Sequence, residues 1–306
     1  IPPEKLTDEV FDYIFLGKGN PDELGKKIGL KKILLQKMRD EFEYFYPVDM
    51  RNSAKELVPN HLTFYIFHHV AIWDDPKYWP KSIGVNGYVT VQGEKMAKSK
   101  GNIVPLKELI KKNGADLVRI NIATANENID DADWREDSLK TFSARLEYLD
   151  YLLKNYKNAK RKSSSNLDKY VEGVIQNCIK GTTENYEVMK FRSGIQNAIF
   201  QSLNEVRYYI ERNGDIKNCN QKLLKDAISN IIKLICPLTT HISEEFWTRI
   251  GGKGMISTSG WPIFDEKRID KNILELENIF KKTQEDMNQV LKLAGNKKNA
   301  HLYLVT

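Results

Sequence analysis

The chain has 306 residues, 41% hydrophobic and 29% charged, which suits two domains with buried cores and excludes a disordered chain by composition. No apolar run is long enough to span a bilayer, so no membrane association is expected. Three cysteines (Cys178, Cys219, Cys236) without CxxC spacing argue against a disulfide framework and against a zinc site, and fit a reducing, cytoplasmic setting.

The formal charge of +6 is unevenly placed: residues 1–150 hold 22 basic and 24 acidic side chains, residues 151–306 hold 25 and 17. A basic second half points to a phosphate-rich partner or to a solvated lysine surface. Ile1-Pro2-Pro3-Glu4 carries no basic region ahead of an apolar stretch, so no secretory signal is expected, and the missing initiator Met suggests a processed or excised chain.

Residues 1–45 read as short helices and loops. Asn20-Pro21-Asp22-Glu23 is a helix start, and Leu24, Ile28, Leu30, Ile33, Leu34 and Met38 supply an apolar stripe. The aromatic and β-branched run Phe42–Asp49, broken by Pro47, predicts a strand ending in a functional turn. Residues 57–73 are apolar on several faces, which predicts a buried helix. Ser82–Val91 predicts a strand or hairpin. Strand, helix, strand in that order predicts a parallel α/β unit whose ligands bind at the C-terminal strand ends.

Beyond Asp137 the character changes. Leu139, Phe142, Leu146, Leu149, Leu153 and Tyr156 alternate at spacings of three and four, the signature of a bundle helix, with Ser138 as a plausible N-cap. Lys160 to Asn166 reads as a loop. Helices are expected at about 167–181, 184–212, 220–236 and 238–250, the last ending at Gly251-Gly252, then an extended connector at Ser257–Phe264 and a helix over 270–294. His301–Thr306 reads as a strand.

The sharpest chemical signal is Lys95-Met96-Ala97-Lys98-Ser99, followed by Lys100-Gly101-Asn102. A cationic, glycine-flanked turn after a strand can hold a polyphosphate and neutralise charge as a phosphoanhydride breaks; an exposed basic turn is the bland alternative. This string resembles the KMSKS motif of class I aminoacyl-tRNA synthetases, with Ala97 in place of the first serine. Val10–Gly17, Phe42–Ser53 and Val58–Phe64 are similar to archaeal/eukaryotic-type leucyl-tRNA synthetases, the first just after their inserted editing domain. Cys236–Trp247 resembles the anticodon-binding bundle of the Leu/Ile/Val/Met subgroup.

The resemblance implies an α/β then all-α chain. Residues 1–137 would be the second half of a class I catalytic domain with a partial Rossmann-type parallel sheet, 138–269 an anticodon-binding helix bundle, and 270–306 the start of a C-terminal domain. It implies catalytic Lys95, Lys98 and Ser99, Lys98 foremost, and ATP contacts from Glu56, His61, Lys95, Met96 and Lys98, with Mg²⁺ accompanying ATP. Glu56 would accept from the ribose hydroxyls; the family's usual glycine before it is here Ala54, whose Cβ could crowd the nucleotide and which disfavours positive φ. His61 could bond ATP or the amino acid, or simply pack; His68 and His69 are expected to pack rather than hold metal. Lys160, Arg161 and Lys162, and Arg192 at a helix start, are the candidate contacts to tRNA-Leu. Trp134, within Asp130–Arg135 at the junction, reads as a packing anchor, and His241 and Trp247 are expected to pack in the bundle.

The family's second motif, a His-x-Gly-His type string, is absent from these 306 residues, and so is its editing domain. The resemblance therefore implies part of a leucine–tRNA ligase that meets leucine, ATP and tRNA-Leu together with a missing N-terminal half, and is inactive alone. A non-catalytic tRNA-binding paralogue, and a portion of an isoleucyl- or valyl-tRNA synthetase, are the alternatives.

Overall fold

A computed structural model describes residues 1–295, and of Lys98 the backbone alone. The strand expected at His301–Thr306 lies outside the described residues. Two compact units divide the chain: the first holds Ile1–Tyr88 with Asn128–Asp131, the second Val89–Glu127 with the described residues from Ala132 onward.

In the first unit, helices α1 (Asp8–Phe11), α2 (Pro21–Ile28) and α3 (Lys32–Phe45) precede strand β1 (Arg51–Ala54), helix α4 (Thr63–Ile72) and strand β2 (Ile83–Asn86). Asn20 caps α2, its Oδ1 accepting from the Asp22 amide at 2.9 Å. A small core joins Val10, Tyr13, Ile14, Leu24 and Leu35. The apolar stripe is only partly used: Gly29 ends α2 at φ 67°, and beyond that break Ile33 and Leu34 face solvent while Leu35 is buried.

The strand expected at Phe42–Asp49 is a helix end. Leu35, Met38 and Phe42 lie at spacings of three and four and turn one face of α3 to the core. There Phe42 stacks on Tyr46 and Trp73. The true strand, Arg51-Asn52-Ser53-Ala54, is polar and shows no strand pattern; it exists because it pairs with β2. That pairing is parallel, Arg51 opposite Ile83 and Ala54 opposite Asn86, so the parallel unit is present, shifted in sequence.

The helix expected over 57–73 forms as a 3-10 turn at Lys55–Leu57, a wider turn at Val58–Leu62, then α4. It is not a buried helix. Leu62 and His69 are buried, but Phe64, Ile66, Phe67, Val70 and Ile72 are exposed. His69 sits among Tyr46, Tyr65 and Trp73, with Nε2 2.8 Å from the Tyr46 hydroxyl and Nδ1 2.7 Å from the Tyr65 carbonyl.

In the second unit, β3 (Val89–Val91), β4 (Glu94–Lys95) and β5 (Ala132–Trp134) form a three-stranded sheet in the order β4-β3-β5. The strand or hairpin expected at Ser82–Val91 is thus two strands, β2 and β3, that belong to different sheets. Helices α5 (Leu106–Asn113) and α6 (Ala115–Ala123) follow, then the bundle: α7 (Glu136–Asn155), α8 (Asn166–Glu187), α9 (Phe191–Ile195), a wide turn at Gln196–Gln201, α10 (Ser202–Arg212), α11 (Gln221–Ile235), α12 (Thr240–Arg249) and α13 (Lys271–Ala294). All six residues of the predicted α7 stripe are buried. Its first turn begins earlier than expected, after Arg135 rather than at Ser138. A capping box at Ser165 and Asp168 opens α8, which runs past the expected end at 181 to Glu187, where Met189 at φ 61° breaks the chain before α9. Trp134 is buried with Val118 and Leu139, as a packing anchor. α13 lies against α8, its Leu274 beside Gly173.

Candidate functional site

The candidate residues fall in three places. In the first unit, the chain leaves the C-terminal end of β1 straight into the turn that holds Glu56, with His61 following before α4. Both side chains are exposed. Ala54 stands at φ −101°, ψ 154°, extended backbone that any residue adopts, so the alanine is unstrained where the resemblance expects glycine. Arg51, at the start of β1, brings a guanidinium nitrogen within 3.3 Å of His61 Nε2. Arginine only donates, so Nε2 accepts and Nδ1 is the nitrogen left with a proton to offer. Lys55 bonds Asp131 at 2.6 Å, and a Cβ on Gly87 would fall 2.0 Å from the Asp130 carbonyl oxygen, which accounts for a glycine there.

In the second unit, the cationic turn follows a strand, as expected. Gln92 and Gly93, both at positive φ (52° and 82°), close the β3–β4 hairpin in two residues. Lys95 ends β4, Met96 and Ala97 are coil, and Lys98–Lys100 is one 3-10 turn. Lys95 and Ser99 are exposed, and Met96 is half-buried. Two residues to which the sequence assigns no role of their own, Asn102 and Asp133, shape this turn. Asn102 clips it, accepting from the Ala97 amide at 2.8 Å and donating to the Lys95 carbonyl at 3.1 Å. Asp133 staples the hairpin, accepting from the Gly93 amide at 2.7 Å and Thr90 Oγ1 at 3.0 Å, with Arg135 Nε at 2.7 Å. The Gly93 amide first, and then Arg135, hold its carboxyl below the usual range. Lys100 pairs with Glu94 at 3.2 Å.

The basic loop after α7 splits by role. Lys160 and Lys162 are exposed. Arg161 is turned inward: it meets Asp168 in a forked pair at 2.6 and 3.0 Å, the Tyr209 hydroxyl at 2.9 Å and the Asn218 carbonyl at 2.8 Å. Its donors are spent within the bundle, so it corrects the expectation of a backbone contact to tRNA. Arg192 is exposed at the start of α9. His241 does not pack inside: its side chain is 73% exposed, with Nδ1 2.9 Å from the buried Asp116 carboxylate, which also takes the Ile242 amide at 2.7 Å. Trp247 packs against the core, its ring beside Gly252.

Residues 30–163 match the family described as tRNA synthetases class I (M), and residues 168–303 the anticodon-binding domain of tRNA ligase. Each match takes in a little under half of the chain, and together they span most of it. Curated relatives named leucine–tRNA ligase are 36% identical over 99% of the chain in Pyrococcus furiosus, 38% over 99% in Methanocaldococcus jannaschii and 38% over 96% in Aeropyrum pernix. The chain spans about a third of their length, 32% in the first of these. The fold is shared with LeuRS of Agrobacterium radiobacter K84, solved as a ternary complex with tRNA and LeuAMS (TM-score 0.63, 19% identity, 73% of this chain and 29% of that one). It is also shared with Mycobacterium tuberculosis methionyl-tRNA synthetase in complex with methionyl-adenylate (TM-score 0.58, 15% identity, 67% and 44%). The α/β-then-helical order and the bundle agree with class I synthetase architecture. Among the described residues no helix is long and apolar enough to cross a membrane, and no group of three or more His, Cys, Asp or Glu is arranged to hold a metal ion.

Proposed function

We propose that this chain is the part of a leucine–tRNA ligase that grips ATP from one side and supports tRNA-Leu. The parent reaction joins leucine to ATP as leucyl-adenylate, releases pyrophosphate, and transfers leucine to the tRNA 3′ end. The single observation that carries the reading is the Lys95–Ser99 turn, which leaves a strand end and is clipped by Asn102. A short clip from Asn102 ties the backbone of the turn at Lys95 and Ala97. Lys95, Lys98 and Ser99 would stabilise the β- and γ-phosphates as the bond to the α-phosphate breaks, an effect largest in the transition state. Met96 would lie against the nucleotide. Mg²⁺, arriving on the ATP phosphates, would share that neutralisation.

The exposed Glu56 carboxylate, at the C-terminal end of a parallel strand, suits two ribose hydroxyls. His61, offering Nδ1–H, suits an acceptor on ATP or leucine. Lys160, Lys162 and Arg192 would meet the tRNA backbone. Buried, unpaired Cys178, Cys219 and Cys236 are compatible with a cytoplasmic protein.

Leucine-dependent pyrophosphate exchange tests this. The 306-residue chain, without a His-x-Gly-His string, gives no exchange, because half of the nucleotide grip is missing. A longer protein that contains both the string and this chain gives exchange, and Lys98→Ala in that protein abolishes most of it while leucine binding persists. Exchange by the short chain alone, or an unaffected Lys98→Ala, overturns the proposal.

A further inference from the structure

One face of α7 and one face of α12 leave an open cleft of about 480 Å³ that the reaction above does not use. Its floor is apolar: Leu146 from α7, Ile242 and Phe246 from α12, and Leu117 from α6. His241, expected from the sequence to pack inside the bundle, stands on the rim of this cleft with its side chain exposed. The buried Asp116 carboxylate takes its Nδ1 at 2.9 Å and the Ile242 amide at 2.7 Å. In the neutral ring the proton therefore sits on Nδ1, and Nε2 is left as an acceptor.

The other polar groups of the rim are acceptors as well. Glu147 on α7 and Glu245 on α12 are both exposed. Ser143 spends its hydroxyl proton on Glu147, at 2.8 Å. Neither glutamate has a basic partner among the described residues. Acceptors around an apolar floor select a ligand that brings donors and no acceptors, an ammonium or guanidinium carried next to an apolar group.

Asp150, at the edge of the same cleft, shows how such a group is held. Arg249 lies over the Phe246 ring, its guanidinium 5.5 Å from the ring centre, and bonds Asp150 at 2.6 Å. Lys154 meets the same carboxylate at 2.7 Å. Asp150 is thus satisfied from within the bundle, whereas Glu147 and Glu245 remain open to a partner. Their charge repels phosphate, which rules out a nucleic-acid strand in this cleft.

We propose that this cleft is a docking site for a basic, apolar segment of a partner protein, with an apolar side chain on Leu146 and Phe246 and arginines or lysines reaching Glu147 and Glu245. The two carboxylates stand on different helices, one on each wall. They call for two cations with an apolar group between them, which one peptide segment supplies and a free amine does not. The site uses no residue of the ATP or tRNA readings and does not depend on them.

The test is fluorescence anisotropy of a labelled peptide of about 15 residues, with leucines at i, i+3, i+4 and i+7 and arginines on either side of that stripe, titrated with the 306-residue chain. The peptide binds saturably. Glu147→Gln with Glu245→Gln weakens it roughly tenfold at low salt and flattens its salt dependence. Serines in place of the peptide's leucines weaken it at least as much. Glu187→Gln with Glu285→Gln, at exposed carboxylates of α8 and α13 outside the cleft, leaves affinity within about twofold of wild type. No saturable binding overturns the proposal. Equal loss in the two glutamine pairs also overturns it, because the effect is then a general attraction between a cationic peptide and acidic side chains. Binding that survives the loss of the leucines does the same, since the floor is then unused. The longer protein of the pyrophosphate-exchange test binds the peptide as well as the short chain does; if it does not, the cleft is filled by that protein's own chain and the assignment to a partner falls.

Discussion

Arg161→Ala should be the costliest single exchange in the basic loop. Its guanidinium makes a forked pair with Asp168 at 2.6 and 3.0 Å, and the two side chains are 21% and 7% exposed. Removing one partner of a buried pair usually costs about 3–5 kcal/mol, because the other charge stays behind in a poor solvent. Here Asp168 keeps the Tyr209 hydroxyl at 2.6 Å and the Ser165 amide at 3.1 Å. The lower end of that range therefore applies, about 3 kcal/mol.

For a unit of this size that is a fall in Tm of roughly 6–12 °C. Lys160→Ala and Lys162→Ala, a residue away on the same loop, should each stay within about 0.5 kcal/mol of wild type. Arg161→Lys, which keeps the charge and loses the fork, should fall between. The assay is thermal unfolding followed by circular dichroism, with the Arg161→Ala/Asp168→Ala double variant closing the cycle; the double variant should lose less than the two singles together. A Tm for Arg161→Ala within about 2 °C of wild type would refute the reasoning that this arginine is a structural clamp.

Two further outcomes rest on the geometry of the turn and the bundle. Asn102→Ala removes both backbone clips of the cationic turn, so amide exchange at Ala97 should speed up roughly fivefold, about 1 kcal/mol, with the rest of the sheet unchanged; unchanged exchange there would mean that the clip does not hold the turn. Burial first, and neighbouring carboxylates next, raise the phenols of Tyr170, Tyr208 and Tyr209 above the usual 10.0. A raised folded pKa contributes stability that is whole below the unfolded value and is lost at higher pH. Unfolding free energy should therefore hold steady with respect to these groups up to about pH 10 and decline above it. Phenolate absorbance should lag behind that of free tyrosine until the bundle melts; full titration at about pH 10 in a folded chain would contradict the assignment.

The residues that make up the bundle were legible because one helix face carries a repeated constraint. Leu139, Phe142, Leu146, Leu149, Leu153 and Tyr156 each lie at the right rotation to meet the core, and each is buried. The cationic turn was legible as an ordered string whose chemistry needs no long-range partner to be recognised. Local pattern could not find β1. Arg51-Asn52-Ser53-Ala54 becomes a strand only because Ile83–Asn86 lies beside it, while the aromatic run ahead of it follows the helix that its core face dictates. Nor could it tell Arg161 from Lys160 and Lys162. The three are adjacent in a basic loop, and their roles part only when folding brings Asp168, Tyr209 and Asn218 to one of them. Sequence by itself determined what the side chains can do, through periodicity and charge, which are local. Which of them are spent holding the fold and which stay free for a ligand depends on partners distant along the chain, and tertiary packing alone selects those.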